Sequence, residues 1–109
     1  RLRHPGSAVP DQLLGLIESM GVTAEKIAAK TGVVISTRDT ALAAQLEKDD
    51  DEMDLLHRQL IAALIAPTWE HGVETAIDLT LLGRYYERYA DHAVSVARRV
   101  IFLVTGRFA

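Results

Sequence analysis

Apolar residues recur along this chain with the spacing of amphipathic helices, in three segments that prolines, glycines and short polar residues separate. Residues 1–10 contain two prolines and predict a loop. Asp11 is a candidate N-cap for a first helix that runs to about Thr37, because its short acceptor side chain satisfies free amides of a first turn. The apolar positions of this helix are Leu13, Leu14, Leu16, Ile17, Met20, Ala24, Ile27 and Ala28.

A second helix is predicted between Asp39, another candidate N-cap, and Pro67, whose ring cannot continue a helix. Its apolar face advances by steps of four and three residues, which is the spacing of one helix side. That face consists of Leu42, Leu46, Asp49, Met53, Leu56, Leu60 and Ala63.

A third helix is predicted from Thr68, a candidate cap, to Gly106, because glycine readily takes the left-handed conformation that ends helices. At ~1.5 Å per residue this helix is about 55 Å long. Its apolar seam is predicted to be Leu79, Leu82, Tyr86, Tyr89, Ala93, Val96, Val100 and Leu103. Val94, Ile101 and Phe102 fall outside the seam, so we expect this helix to be covered on more than one side.

Three long helices with short connections can bury their apolar faces only on one another, and short connections make neighbours antiparallel. The predicted fold is therefore all-α, an antiparallel up-down-up three-helix bundle. Residues 1–109 are expected to form one domain of this kind, because domains of ~100–150 residues are the commonest.

Composition narrows the possible functions. The chain has 109 residues, 49% of them hydrophobic, and a formal net charge of −3, which fits a folded domain and does not favour nucleic-acid binding. The absence of cysteine excludes disulfides, Cys-ligated metals and thiol catalysis. No apolar run approaches the ~20 residues of a membrane span, so we expect a chain that is not embedded in a membrane.

Paired carboxylates are the candidate chemistry of the bundle. Glu87 and Asp91 are four residues apart on the third helix, and Asp50 and Asp54 are four apart on the second, so each pair lies on one helix side. The two pairs are expected at about the same height if the helices are antiparallel neighbours. Carboxylates from two helices of a bundle can bind a cation, so the sequence predicts a metal site here.

A second interpretation of the same residues needs no ligand. The polar side of the third helix is predicted to lie opposite its apolar seam and to carry Thr80, Arg84, Glu87, Asp91 and Arg98. Pairs three residues apart, Arg84 with Glu87 and Arg88 with Asp91, would make this strip a solvated lattice of ion pairs. His57 and His92 are weaker candidates for metal ligands, since a single helical histidine is usually structural.

Residues 84–93 read Arg-Tyr-Tyr-Glu-Arg-Tyr-Ala-Asp-His-Ala, and residues 104–106 read Val-Thr-Gly. In these segments the last third of the chain resembles the C-terminal helix of PhoU phosphate-uptake regulators, a family that typically shows them. Residues 50–54, Asp-Asp-Glu-Met-Asp, match its Asp-Asp-x-x-Asp segment one helix earlier. The amino-acid sequence around the tyrosines is similar to that of actinobacterial members, and the resemblance spans roughly residues 8–106.

The resemblance implies that the chain is one PhoU-like repeat, the second of two tandem three-helix repeats. Residues 1–10 are then either a loop or the remnant of a preceding helix. An isolated repeat exposes apolar surface that the other repeat would bury, so a homo-oligomer, or packing on a first repeat, is expected.

The family also implies a function. PhoU-like proteins are cytoplasmic regulators rather than enzymes, and they connect a Pst-type phosphate transporter to a sensor histidine kinase in phosphate-starvation signalling. The expected partners are therefore that kinase and the transporter ATPase, with a location in the cytoplasm or against the inner face of the membrane. By match to metal-binding members, the metal ligands would be Asp50, Asp54, Glu87 and Asp91, and iron, zinc, magnesium or calcium would suit them.

Two other functions stay open at this stage. PhoU-like domains also occur fused to membrane phosphate or cation transporters, as accessory domains. A metal-dependent enzyme of the carboxylate-bundle type is the third possibility, although the chain contains no Gly-rich phosphate loop and no nucleophile motif.

Overall fold

The computed structural model describes residues 11–106, and three α-helices account for most of them. Helix α1 is Asp11–Thr37, α2 is Thr40–Leu64 and α3 is Gly72–Thr105. Each helix packs on both others, in a bundle 53 Å long and 22 by 17 Å across. The predicted all-α three-helix bundle is thus confirmed, while the prediction for residues 1–10 lies outside the described residues.

Two of the predicted helix boundaries are confirmed by their capping contacts. The Asp39 carboxylate accepts a hydrogen bond from the Leu42 amide at 3.1 Å, so Asp39 is the N-cap of α2. Gly106 ends α3 with φ of +80°, and its amide donates to the Phe102 carbonyl at 2.8 Å.

The predicted start of the third helix is wrong. Thr68 does not cap α3, which begins four residues later at Gly72 after the N-cap residue His71. Gly72 has φ of +85°, which favours glycine, and the Trp69 indole donates to the Gly72 carbonyl at 2.9 Å. A turn therefore occupies the segment that the sequence predicted as the first helical turn.

The apolar seam predicted for α3 is rotated about the helix axis relative to the buried face. The buried residues of α3 are Thr75, Leu79, Gly83, Ala90, Ala93, Val94, Ala97 and Ile101. The angle between the predicted seam and the buried face, measured about the helix axis, is somewhat less than the ~100° between consecutive residues. Leu103, predicted in the seam, is 79% exposed, whereas Val94 and Ile101, predicted outside it, are in the core.

Small side chains explain this rotation. Glycine and alanine contribute little to an apolar pattern read from residue size, but they let neighbouring helices approach closely. At Gly83 an added Cβ would stand 2.7 Å from Leu60 Cδ2 and 3.1 Å from His57 Cδ2. The bundle therefore turns the small side of α3 toward α2 and leaves several larger apolar residues in solvent.

Candidate metal-binding site between the second and third helices

Contacts between α2 and α3 fix the relative height of their charged residues. Arg98 donates two hydrogen bonds to Glu47, from Nε at 2.6 Å and from Nη2 at 2.5 Å. Further along, His57 Nδ1 lies 3.4 Å from Glu87 Oε2. Residue numbers rise on α2 as they fall on α3, so the two helices are antiparallel.

The rotation of α3 moves its polar strip to the edge of α2. The sequence predicted that strip on the side opposite the core, and this placement is wrong, because Glu87 and Arg98 both contact α2 side chains. The hydrogen bonds to Glu47 raise the pKa of Arg98 above its usual value. The strip therefore lies where two helices can contribute to one site.

Asp50 of α2 and Asp91 of α3 meet across this edge. Partial burial raises the pKa of Asp50 to about 6, and the charge of Asp91 and a hydrogen bond between the two side chains add to the effect. A carboxyl group beside another negative charge ionises less readily, so Asp50 keeps its proton to a higher pH than an isolated aspartate does. The contact puts Asp50 and Asp91 at a common height, as the sequence predicted.

The other two predicted ligands have different neighbours. Glu87 lies 3.4 Å from His57, and Asp54 Oδ2 forms an ion pair with Arg58 Nη2 at 2.7 Å on the same helix. Within residues 11–106, no three or more histidine or carboxylate side chains are gathered in a way that could hold a metal ion. Asp50 and Asp91 therefore form a carboxylate pair, and Asp54 and Glu87 lie about one helical turn from it with partners of their own.

The ion-pair lattice considered as an alternative is wrong in its specific pairs. Among the described residues, neither Arg84 nor Arg88 makes an ion pair, and Glu87 and Asp91 have partners on α2 instead. Of the histidines, His57 is the one at this edge, and its buried Nε2 has no hydrogen-bond partner among the described residues. His92 lies exposed.

Sequence reasoning missed a second acidic cluster on α2. Asp49 was assigned to the apolar face, and it is indeed buried, but Lys30 of α1 donates to its Oδ2 at 2.8 Å. Lys26, four residues earlier, donates to Glu52 at 3.3 Å. The spacing of these two lysines, four residues apart on one side of α1, was the sequence feature that could have indicated this cluster. The acidic run of α2 is thus divided, with one part facing α1 and the other facing α3.

Fold and site together define a class of protein: a three-helix bundle with a carboxylate pair at one helix–helix edge. The PhoU domain family matches residues 17–100 of the chain. The chain belongs to this family.

Curated relatives agree with the family match. The chain is 48% identical over 108 residues, 99% of its length, to "Phosphate-specific transport system accessory protein PhoU homolog 2" of Mycobacterium tuberculosis. It is 48% identical to homolog 1 of Mycobacterium leprae and 26% identical to homolog 1 of Methanothermobacter thermautotrophicus, with 99% and 89% of this chain covered.

The chain spans about half the length of the curated relatives it matches, 51% of the Mycobacterium tuberculosis protein and 49% of the Mycobacterium leprae protein. No solved structure shows significant similarity to it. Among the described residues, no helix has the length and apolar character needed to cross a membrane.

Proposed function

We propose that this chain is a non-catalytic regulatory module of a phosphate-specific transport system, acting in the cytoplasm. The observation that carries the proposal is the 48% identity, over 99% of the chain, to a protein named as an accessory of that system. The relatives described above are all named as accessory proteins, and this favours the adaptor role over a transporter fusion or an enzyme.

The adaptor role requires surfaces for two partners. We infer from the family that these are the transporter ATPase and a sensor histidine kinase, and that docking signals phosphate sufficiency. The support is indirect: α3 also has exposed apolar side chains outside the bundle core, namely Val73, Ile77 and Leu103.

A chimera tests the regulatory role. In the Mycobacterium tuberculosis homolog 2, the half that the chain matches would be replaced by this chain and expressed in a strain that lacks its own PhoU protein. We expect the phosphate-starvation reporter to be repressed again in high phosphate. The same chimera with Met53→Asp, which places a charge in the core, should not repress it. A folded, stably expressed chimera that leaves the reporter on would contradict the proposal.

We also propose that the carboxylates at the α2–α3 edge bind a metal ion. Hard cations prefer carboxylate oxygens, and a cation beside Asp50 and Asp91 would offset the unfavourable proximity of two negative charges. The four residues proposed as ligands are Asp50, Asp54, Glu87 and Asp91. Magnesium, calcium, zinc and iron are all compatible with such a set, in different geometries.

Calorimetric titration of each metal into the purified chain tests this proposal. Asp50→Asn with Asp91→Asn should remove the binding heat, while Glu70→Gln, a change at an exposed residue before α3, should leave it unchanged. Affinity should rise with pH through about 6, because the metal competes with the proton on Asp50. Equal binding by the double variant and the unaltered chain would refute the assignment.

A further inference from the structure

A groove of about 680 Å³ runs between α1 and α3, outside the carboxylate edge described above. Small residues of α1, Gly21 and Ala28, line one wall, and the Tyr86 hydroxyl lies 3.5 Å from where a Cβ at Gly21 would stand. Tyr85 and Tyr89 line the α3 wall and stack with ring centroids 6.3 Å apart. The groove is therefore shallow, apolar along its length and open to a partner.

The two edges of this groove carry opposite charges. Glu18 and Glu25 line it on α1. On the other side, Arg84 and Arg88 adjoin Tyr85 in a shallower depression on α3. None of these four charged side chains makes an ion pair or a side-chain hydrogen bond with the rest of residues 11–106. The edges are therefore available to a partner whose charges are arranged in the opposite order.

The chain itself has that opposite order when it is turned about an axis parallel to its helices. Both α1 and α3 are antiparallel to α2, so they run in the same direction. The contact of Gly21 with Tyr86 places Glu18 and Glu25 within about a helical turn of the heights of Arg84 and Arg88. A twofold rotation about such an axis keeps each residue at its height along the helices and exchanges the two edges of the groove. The acidic edge of each copy therefore faces the basic edge of the other copy.

The alternative twofold arrangement is unfavourable. A twofold axis perpendicular to the helices would place the acidic edges of the two copies opposite each other. Glu18 and Glu25 of one copy would then face the same glutamates of the other copy. Like charges placed opposite one another across an interface disfavour that pairing. The charge pattern therefore selects the parallel arrangement.

We propose that this groove is a self-complementary interface for a second copy of the chain, in a parallel side-by-side dimer. Arg84 and Arg88 of one copy pair with Glu18 and Glu25 of the other. The apolar residues between the edges, Leu81 at 61% and Tyr85 at 60% exposed, become buried. This interface is independent of the role in phosphate transport and of the metal site.

Charge reversal, followed by sedimentation analysis over a range of concentrations, tests the dimer. Arg88→Glu alone and Glu25→Arg alone should each raise the dimer dissociation constant by about tenfold or more, because each opposes like charges at two places. Both substitutions in one chain should restore dimerisation, and so should mixing the two single variants. Lys48→Glu makes the same charge change on the exposed part of α2 and should have no effect.

Three outcomes would overturn the proposal. The unaltered chain could remain monomeric at every concentration, in which case a second copy does not occupy the groove. A dimer could form that neither charge reversal weakens, which would place the interface elsewhere. Single variants that fold, as circular dichroism reports, but do not dimerise on mixing would exclude the parallel twofold pairing.

Discussion

At the scale of the residue, Gly83 decides how closely α2 and α3 approach. A Cβ at this position would stand 2.7 Å from a methyl group of Leu60, which is fully buried. Helix propensity alone would rank glycine as a poor choice here. Glycine is favourable at this position because it lets the two helices pack closely, and a rule based on neighbouring residues in the sequence cannot detect that contact.

We expect Gly83→Ala to lower the free energy of unfolding by about 1 kcal/mol or more, because overpacking outweighs the gain in helix propensity. Gly32→Ala is the matched control, since nothing lies within 4 Å of a Cβ at that exposed position of α1. That variant should be stabilised by roughly 0.5–1 kcal/mol. Urea denaturation of both variants measures the difference, and two variants equally stabilised would show that the helices can separate without cost.

Asp50 should make stability depend on pH. Its pKa is raised to about 6 in the folded chain from 3.8, so the folded state holds the proton more tightly than the unfolded state does. The resulting stabilisation is complete below the unfolded pKa and is lost as pH rises through about 6. The site is partly exposed, so we expect a contribution on the order of 1 kcal/mol.

The substitution Asp50→Asn should therefore raise the melting temperature at about pH 8 and have a smaller effect at about pH 4, with a chelator present. Circular dichroism melting curves measure both values. Glu70→Gln, which removes the same charge at an exposed residue before α3, controls for net charge. A stabilisation that is equal at both pH values would count against a raised pKa of Asp50 in the folded chain.

At the scale of the element, the end of α1 shows a residue in an unfavourable conformation. Arg38 has φ of +59°, and its amide donates to the Val34 carbonyl at 2.7 Å, which is the closing bond of a helix. Glycine takes this left-handed conformation without the steric cost that a Cβ brings. The connection between α1 and α2 therefore contains an arginine in a conformation that glycine would adopt at a lower steric cost.

We expect Arg38→Gly to raise the free energy of unfolding by up to about 1 kcal/mol. Thr37→Gly, one residue earlier and still within α1, should lower it by a similar amount, because glycine is unfavourable in a helix. Chemical denaturation compares the two. If Arg38→Gly were the more destabilising variant, the side chain of Arg38 would have a role beyond the turn.

At the scale of the whole molecule, the acidic residues of α2 contact different helices according to the side of α2 on which they lie. Lysines of α1 face Asp49 and Glu52 of α2, whereas Asp50 and Glu47 of the same acidic run face α3. One run of acidic residues thus joins two different helices, because successive residues on a helix point about 100° apart. The height match between Asp50 and Asp91 was predictable from helix lengths, while the partners of Glu87 and Asp54 were not.

The apolar spacing, the cap at Asp39 and the left-handed end at Gly106 were determined by the sequence itself, because each depends on residues within a few positions of one another. The face that α3 turns to its neighbours, and so the position of its carboxylates, was decided only by the tertiary structure. Packing depends on the space between helices, where glycine and alanine matter as much as large apolar residues do. A pattern read along one helix contains no information about that space.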